Sequence, residues 1–307
     1  MATETEPEKG PFARWASSAI QNPEKVYRAM FYVAMVFFLF TTLFPFYWLL
    51  VLALTPNEAI IGFGFPPTPN GFNPEAFLQV FETVPFHIFM FNSFVLGIST
   101  TAIVLVLASL AGYVFGRLDF PGKGILMLII LAVSYFPPAA FIIPLFRLFT
   151  GNVSVMGLSS PDLFNTPFAM VLPFSALFMP LSIFILSTFY GQIPDGLEDA
   201  ARIEGTTRLG ALFRVIMPLS APGVATAGVL TFISVYNEFF FSFLMTSGEA
   251  DQWAPIVWGI LNYQGQYSEL YNLMAAASIV GVLPVAILVV VAQEKIVSGL
   301  TAGALKE

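Results

Sequence analysis

IPDGLEDAARIEGTTRLGALFRVIMPLS, residues 193–220, is the longest polar break between two membrane-length apolar runs in the C-terminal half of the chain. Pro194 and Asp195 stop the run before it. Asp195 as N-cap, with Glu198 three positions on as its capping-box partner, predicts a short helix over 196–204. Gly205 closes that helix, because a glycine just past the last helical residue enters the left-handed region without steric cost. Thr206 or Thr207 then caps a second helix. In it Leu209, Leu212, Phe213 and Ile216 recur at i, i+3, i+4 and i+7 as one apolar stripe, and Pro218 ends it. The stretch predicts helix, glycine turn, helix.

The rest of the chain explains why so polar a segment stands out. It is 57% hydrophobic, 16% aromatic and only 10% charged, with mean hydropathy +0.81. Soluble domains are typically about 25% charged, so the composition describes a polytopic membrane protein. Six uncharged runs, centred on 29–54, 88–114, 125–145, 167–190, 222–245 and 273–293, each reach the ~20 residues that a spanning helix needs. Pro45, Pro137, Pro138, Pro173, Pro180 and Pro284 fall within them, which predicts kinks. Eleven of the twelve Lys and Arg residues lie on one side of these runs, with Arg147 the exception. By the positive-inside rule both termini and the 193–220 loop are cytoplasmic. The predicted fold is all-α, with six transmembrane helices, N-in and C-in.

Residues 1–27 precede the membrane domain 28–307 and lack the basic start and cleavage site of a signal peptide. Phe12, Trp15, Ala16, Ala19 and Ile20 share a helical face, so the segment reads either as an interfacial amphipathic helix or as a tail without fixed structure. The outer loop 55–85 is rich in Pro, Gly and Phe, carries Glu58, Glu75 and Glu82, and is suited to meeting an extracellular partner.

Several chemistries are excluded. With no cysteine and one histidine, His87, thiolate sites and histidine clusters are absent, and a net charge of −7 argues against nucleic acid. Gly122-Lys123 is not a phosphate loop, since Arg117 stands where the first glycine belongs and Gly124 where a hydroxyl residue belongs. A catalytic site, a cofactor site and a metal site are therefore not expected in this chain.

The 193–220 loop resembles the cytoplasmic loop of ABC-importer permeases, which has the form E-A-A, three residues, G, nine residues, I-x-L-P. Here Asp199, Ala200, Ala201, Gly205, Val215, Met217 and Pro218 stand at those spacings. Asp199 is one methylene shorter than the Glu the family usually has, with Glu198 beside it able to substitute. The paired alanines leave little bulk, which suits a helix seated in another protein's groove. Asn92-Ser93, GYVFGRLDFPGKG over 112–124, Tyr236-Asn237-Glu238 in place of a usual Trp-Asn-Glu, and the tail IVSGLTAGALK over 296–306 resemble the carbohydrate branch, of the maltose and trehalose type.

That resemblance implies a type I importer permease fold and alternating access driven by ATP. It implies a second, related permease subunit, two cytoplasmic ATPase subunits that bind the ATP and Mg, an extracytoplasmic solute-binding protein, surrounding lipid and a sugar substrate. Glu198, Asp199, Ala200, Ala201, Arg202, Gly205 and Pro218 are the expected ATPase-coupling residues. Tyr135, Tyr236, Asn237 and Glu238 are candidates for the substrate path, with Glu238 read as either a solute contact or a structural residue. An ion-coupled transporter is the alternative, but it usually needs several intramembrane carboxylates and Glu238 is the only acid in a run. A structural membrane protein or intramembrane enzyme leaves the loop spacing unexplained.

Overall fold

The computed structural model describes Gly10, residues 23–265 and residues 269–302. The amphipathic face expected over 12–20 lies outside these, as do the last residues of the tail. Helix α1 (Pro23–Leu54) leads through α2 (Asn57–Phe63) and α3 (Ala76–Thr83) to α4 (Phe86–Arg117). Next come α5 (Lys123–Ser134) and α6 (Ile142–Phe149), joined through a 3-10 turn at Pro138–Phe141. A small antiparallel hairpin, β1 (Ser154–Val155) with β2 (Leu158–Ser159), precedes α7 (Phe168–Tyr190). Then follow α8 (Asp195–Ile203), α9 (Arg208–Ala211), a π-helical turn at Leu212–Ile216 and α10 (Met217–Leu219). The described chain ends with α11 (Ala221–Tyr236), α12 (Ser242–Met245), α13 (Ile256–Leu261) and α14 (Tyr271–Ala302).

Helices α1, α4, α7 and α14 are each long and apolar enough to cross a membrane. Two bent pairs pass the same test as units: α5 with Pro138–Phe149, bent by 82°, and Arg208–Leu219 with α11, bent by 85°. Continuous helices satisfy every backbone group internally, which is what a lipid solvent demands. Pro45, Pro173, Pro180 and Pro284 lie inside helices that continue past them, whereas the consecutive Pro137 and Pro138 stand at the 82° break.

The fifth run is the main correction to the sequence expectation. Its helix does not reach residue 245 but stops at Tyr236, so Glu238 lies beyond α11 and not past the midpoint of a span. Two side chains explain the stop. Asn237 Nδ2 donates to the Ile233 carbonyl at 2.9 Å, and the Glu238 carboxylate accepts from the backbone N–H of Phe241 at 3.0 Å and Ser242 at 3.4 Å. Local side-chain bonds of this kind compete with helix continuation and here start α12.

The broadest interface in the molecule joins α4 to α7, and glycine makes it possible. A Cβ added at Gly112 would come within 2.9 Å of Leu186 Cβ, and one at Gly116 within 2.8 Å of the Ser187 carbonyl oxygen. Small residues one turn apart let two backbones close up where lipid provides no hydrophobic drive for association. The seam also carries a buried hydrogen bond from Tyr190 Oη to Ser109 Oγ at 3.1 Å, and Ser182 meets Thr231 at 3.1 Å between α7 and α11. By contrast α1 buries only Val51, Leu52 and Ala53, and most of its aromatic surface is exposed.

Candidate functional site

The polar loop folds as helix, glycine turn, helix, with differences that matter. Pro194, extended at φ −56° and ψ 134°, takes the N-cap position and Asp195 is the first helical residue, so no capping box forms. Asp195 still favours the positive end of the α8 dipole. Gly205 does close the helix: its φ is +91°, its N–H reaches the Arg202 carbonyl at 3.0 Å and the Thr206 N–H reaches that of Ala201 at 3.0 Å. That pair of bonds is a Schellman motif. Thr207 then caps α9 through Oγ1, which accepts from the Gly210 N–H at 3.1 Å.

The second helix is not the uniform stripe the sequence suggests. Between α9 and α10 the bonding widens to i+5, the Met217 N–H reaching the Leu212 carbonyl. Leu212 and Ile216 are fully buried, while Leu209 and Phe213 swing to the exposed side. Pro218 does not end the helix either. It occupies the first turn of α10, where its missing N–H costs nothing, and the 85° bend falls at Ser220.

Glu198 shows what holds the loop in place. Its carboxylate is buried; Oε1 accepts from Tyr113 Oη and Oε2 from Arg117 Nε at 2.9 Å. Arg117, with only 4% of its side chain exposed, also donates through Nη1 to the Ile193 carbonyl at 2.6 Å and pairs through Nη2 with Asp195 at 2.8 Å. Burial alone would push the Glu198 carboxyl up. The hydrogen bonds from Tyr113 and Arg117, with the charges of Arg117 and Arg202, overcome burial and hold it below the ordinary carboxylate value. Glu198 therefore faces inward and does not replace Asp199, which is exposed beside Arg202 at 3.7 Å. The two alanines also divide: Ala201 packs inward and only Ala200 is exposed, next to Leu197 and to Ile203 at 87% exposure.

The model of the binding-protein-dependent transport system inner membrane component family matches residues 105–300, a span that contains the whole loop. The chain belongs to this family. Its relatives include the sulfoquinovosyl glycerol transport system permease protein of Agrobacterium fabrum, 38% identical over 90% of this chain and 93% of that one. They also include the trehalose transport system permease protein of Mycobacterium tuberculosis, 34% identical over 86% of this chain and 92% of that one. A crystal structure of a bacterial ABC transporter involved in the import of the acidic polysaccharide alginate matches with TM-score 0.71 at 16% identity, covering 94% of this chain and 99% of that chain, which shows the shared fold.

In this permease the four substrate-path candidates do not converge. Tyr236 is buried, donates to the Gly281 carbonyl at 2.9 Å and packs against Phe94 and Phe232, so it ties α11 to α14. Asn237 is exposed and bonded to its own helix, and Glu238 is half-buried as the cap of α12. Tyr135, at the end of α5, is 87% exposed. A cavity of about 320 Å³ opens where α5 breaks against α7, between Phe136, Pro138, Phe141, Pro173 and Pro180, and none of the four lines it.

Tyr113 and Arg117 are what sequence reasoning missed. They sit within GYVFGR, where the i, i+4 spacing puts both on one helical face, and Gly112 and Gly116 repeat that spacing on the neighbouring face. In the sequence Arg117 counts toward topology, toward the failed phosphate-loop match and toward the GYVFGR stretch, none of which names Glu198 as its partner. A basic residue one turn after an aromatic hydroxyl, at the end of an apolar run, was the available signal.

Proposed function

We propose that this permease is one of two related membrane subunits of an ATP-driven sugar importer in the cell membrane, and that its 193–220 loop receives the stroke of separate cytoplasmic ATPase subunits. The observation that carries the sugar reading is the match, over 90% and 86% of this chain, to permeases of sulfoquinovosyl glycerol and trehalose systems. Support for coupling comes from the exposed face of α8. Leu197, Ala200 and Ile203 leave a low apolar strip on a polar loop, which suits a shallow groove in a partner, and Gly205 fixes its far end. ATP and Mg bind the partner subunits in this scheme, and an extracytoplasmic binding protein delivers the solute. Termini and loop lie inside, six spans cross the membrane, and Arg147 is the one basic residue outside.

Co-reconstitution in liposomes of this chain with its partner permease, ATPases and binding protein tests the proposal. Sugar-loaded binding protein is expected to stimulate ATP hydrolysis and to drive sugar into the vesicles. Uptake driven by an ion gradient without ATP would replace this scheme with the secondary-transporter alternative.

A further inference from the structure

We propose that Arg117 and Tyr113 are positioning residues that clamp α8 to the cytoplasmic end of α4, so that a push on the loop moves α4 and α7 with it as one body. The inference rests on the coupling role proposed above. It concerns where the stroke goes after it reaches the loop.

The stiff side is built from three donors of one planar guanidinium. Nε, Nη1 and Nη2 hold Glu198, the Ile193 carbonyl and Asp195, so the start of α8 is fixed in translation and in rotation about its own axis. Tyr113, one turn earlier on α4, grips the second oxygen of Glu198. The same turns of α4 carry the glycine seam. Gly112 and Gly116 lie against Leu186, Ser187 and Tyr190, a Cβ on Gly191 would stand 3.3 Å from the Gly116 carbonyl oxygen, and Tyr190 is bonded to Ser109. From the tip of α8 to the end of α7 each joint is thus a polar fork or a backbone-to-backbone contact.

The other side of the loop is built differently. Gly205 turns in open space, with nothing within 4 Å of an added Cβ. The π-helical turn follows, and then the 85° bend at Ser220, whose buried hydroxyl has no hydrogen-bond partner among the described residues. Leu212 and Ile216 of that turn are fully buried in the same cluster as Tyr113, Leu186 and Tyr190, so this side is held by apolar packing and not by a polar fork. The loop is therefore held by directional polar bonds at its entrance and by apolar packing at its exit.

Pulsed electron resonance on the assembled transporter tests this, with spin labels at the exposed Asp119 and at the exposed Glu204 at the end of α8. The wild type is expected to give a narrow distance distribution. Arg117→Lys, which keeps the charge but loses the fork, and Tyr113→Phe, which loses only the hydroxyl, are each expected to broaden it. Both are expected to keep the ATPases bound while sugar transported per ATP falls about five- to tenfold, the lower part of the range for coupling between sites. Unchanged width and unchanged ratio in both variants would overturn the clamp. Ile203→Arg on the exposed face separates the two proposals. If it leaves ATPase binding intact, the coupling role fails even where the broadened distance still reports the clamp. If it strips the ATPases while both clamp variants behave as wild type, the clamp alone fails. Should Arg117→Lys not assemble, Tyr113→Phe carries the same measurement.

Discussion

Glu198, in the polar loop, and Glu238, the one acid within an apolar run of the sequence, are carboxylates that do opposite kinds of work. The partners of Glu198 are Tyr113 and Arg117, more than eighty positions away on another helix. Those of Glu238 are backbone N–H groups three and four positions on. Reach in sequence separates the roles. A carboxylate with distant charged partners fixes two elements against each other, whereas one that bonds its own next turn only shapes the local chain. Glu198 therefore fixes α8 against α4, and Glu238 shapes one short helix.

The comparison breaks first, if it breaks, at Arg117. Arg117→Leu strands a buried carboxylate, and removing one partner of such a pair costs about 3–5 kcal/mol. Cleavage by trypsin within the loop, at Arg202 or Arg208, is expected to accelerate accordingly, while Glu238→Leu leaves it at the wild-type rate. Acid probes the same pair more gently. Because the folded state depresses the Glu198 value, its contribution is fully present above the unfolded carboxylate value and disappears as pH falls through the lower folded value. Loop protection is expected to hold from neutral pH down to the usual carboxylate range and to be lost below it. In Glu198→Gln that acid-dependent loss is expected to vanish.

The legibility of the chain follows the same division between local and distant partners. Apolar runs, the turn at Gly205 and a threonine cap at 206 or 207 depend on a few adjacent residues and were readable, the choice of Thr207 coming from the structure. The end of α11 was equally local but was misread, because hydropathy over 222–245 masked Asn237 and Glu238 as helix breakers. Hydropathy reports which solvent a segment prefers, not where its backbone bonds change partners. The spacing of Tyr113 and Arg117 was a signal, but their pairing with Glu198 was not readable: nothing near either partner names the other, and both had simpler local uses, as a topological charge and as a capping-box acid. The opposed faces of Ala200 and Ala201 likewise depend on how α8 is rotated, which Arg117 sets.

A middle-sized effect is expected at Gly205, which joins the clamped α8 to α9. No atom lies within 4 Å of an added Cβ, so steric contact is not the obstacle. The obstacle is φ of +91°, where an L-residue costs about 1–2 kcal/mol and Asn less than most. Gly205→Val is expected to lower thermal stability of the loop and to halve uptake or worse, with Gly205→Asn intermediate. Equal behaviour of Val and Asn would mean that the turn can open at no cost, and that the glycine does not set the angle between the helices.

The smallest effect is expected at Glu238, and it sharpens the comparison most. As a cap it accepts two backbone hydrogen bonds, so Glu238→Leu should cost about 1 kcal/mol, the usual loss for a helix cap. Glu238→Gln keeps an acceptor oxygen and should cost about 0.5 kcal/mol, within the net worth of one hydrogen bond. A local cap predicts that uptake follows stability: Leu below Gln, both still transporting, and both with normal sugar per ATP. A solute contact predicts a different order, because a carboxylate that receives sugar hydroxyls loses charge-assisted bonds in Gln as well as in Leu. Uptake that collapses in Gln, while thermal unfolding shifts hardly at all, would move Glu238 from the local class to the path, and Asn237, exposed beside it, would be the next residue to test.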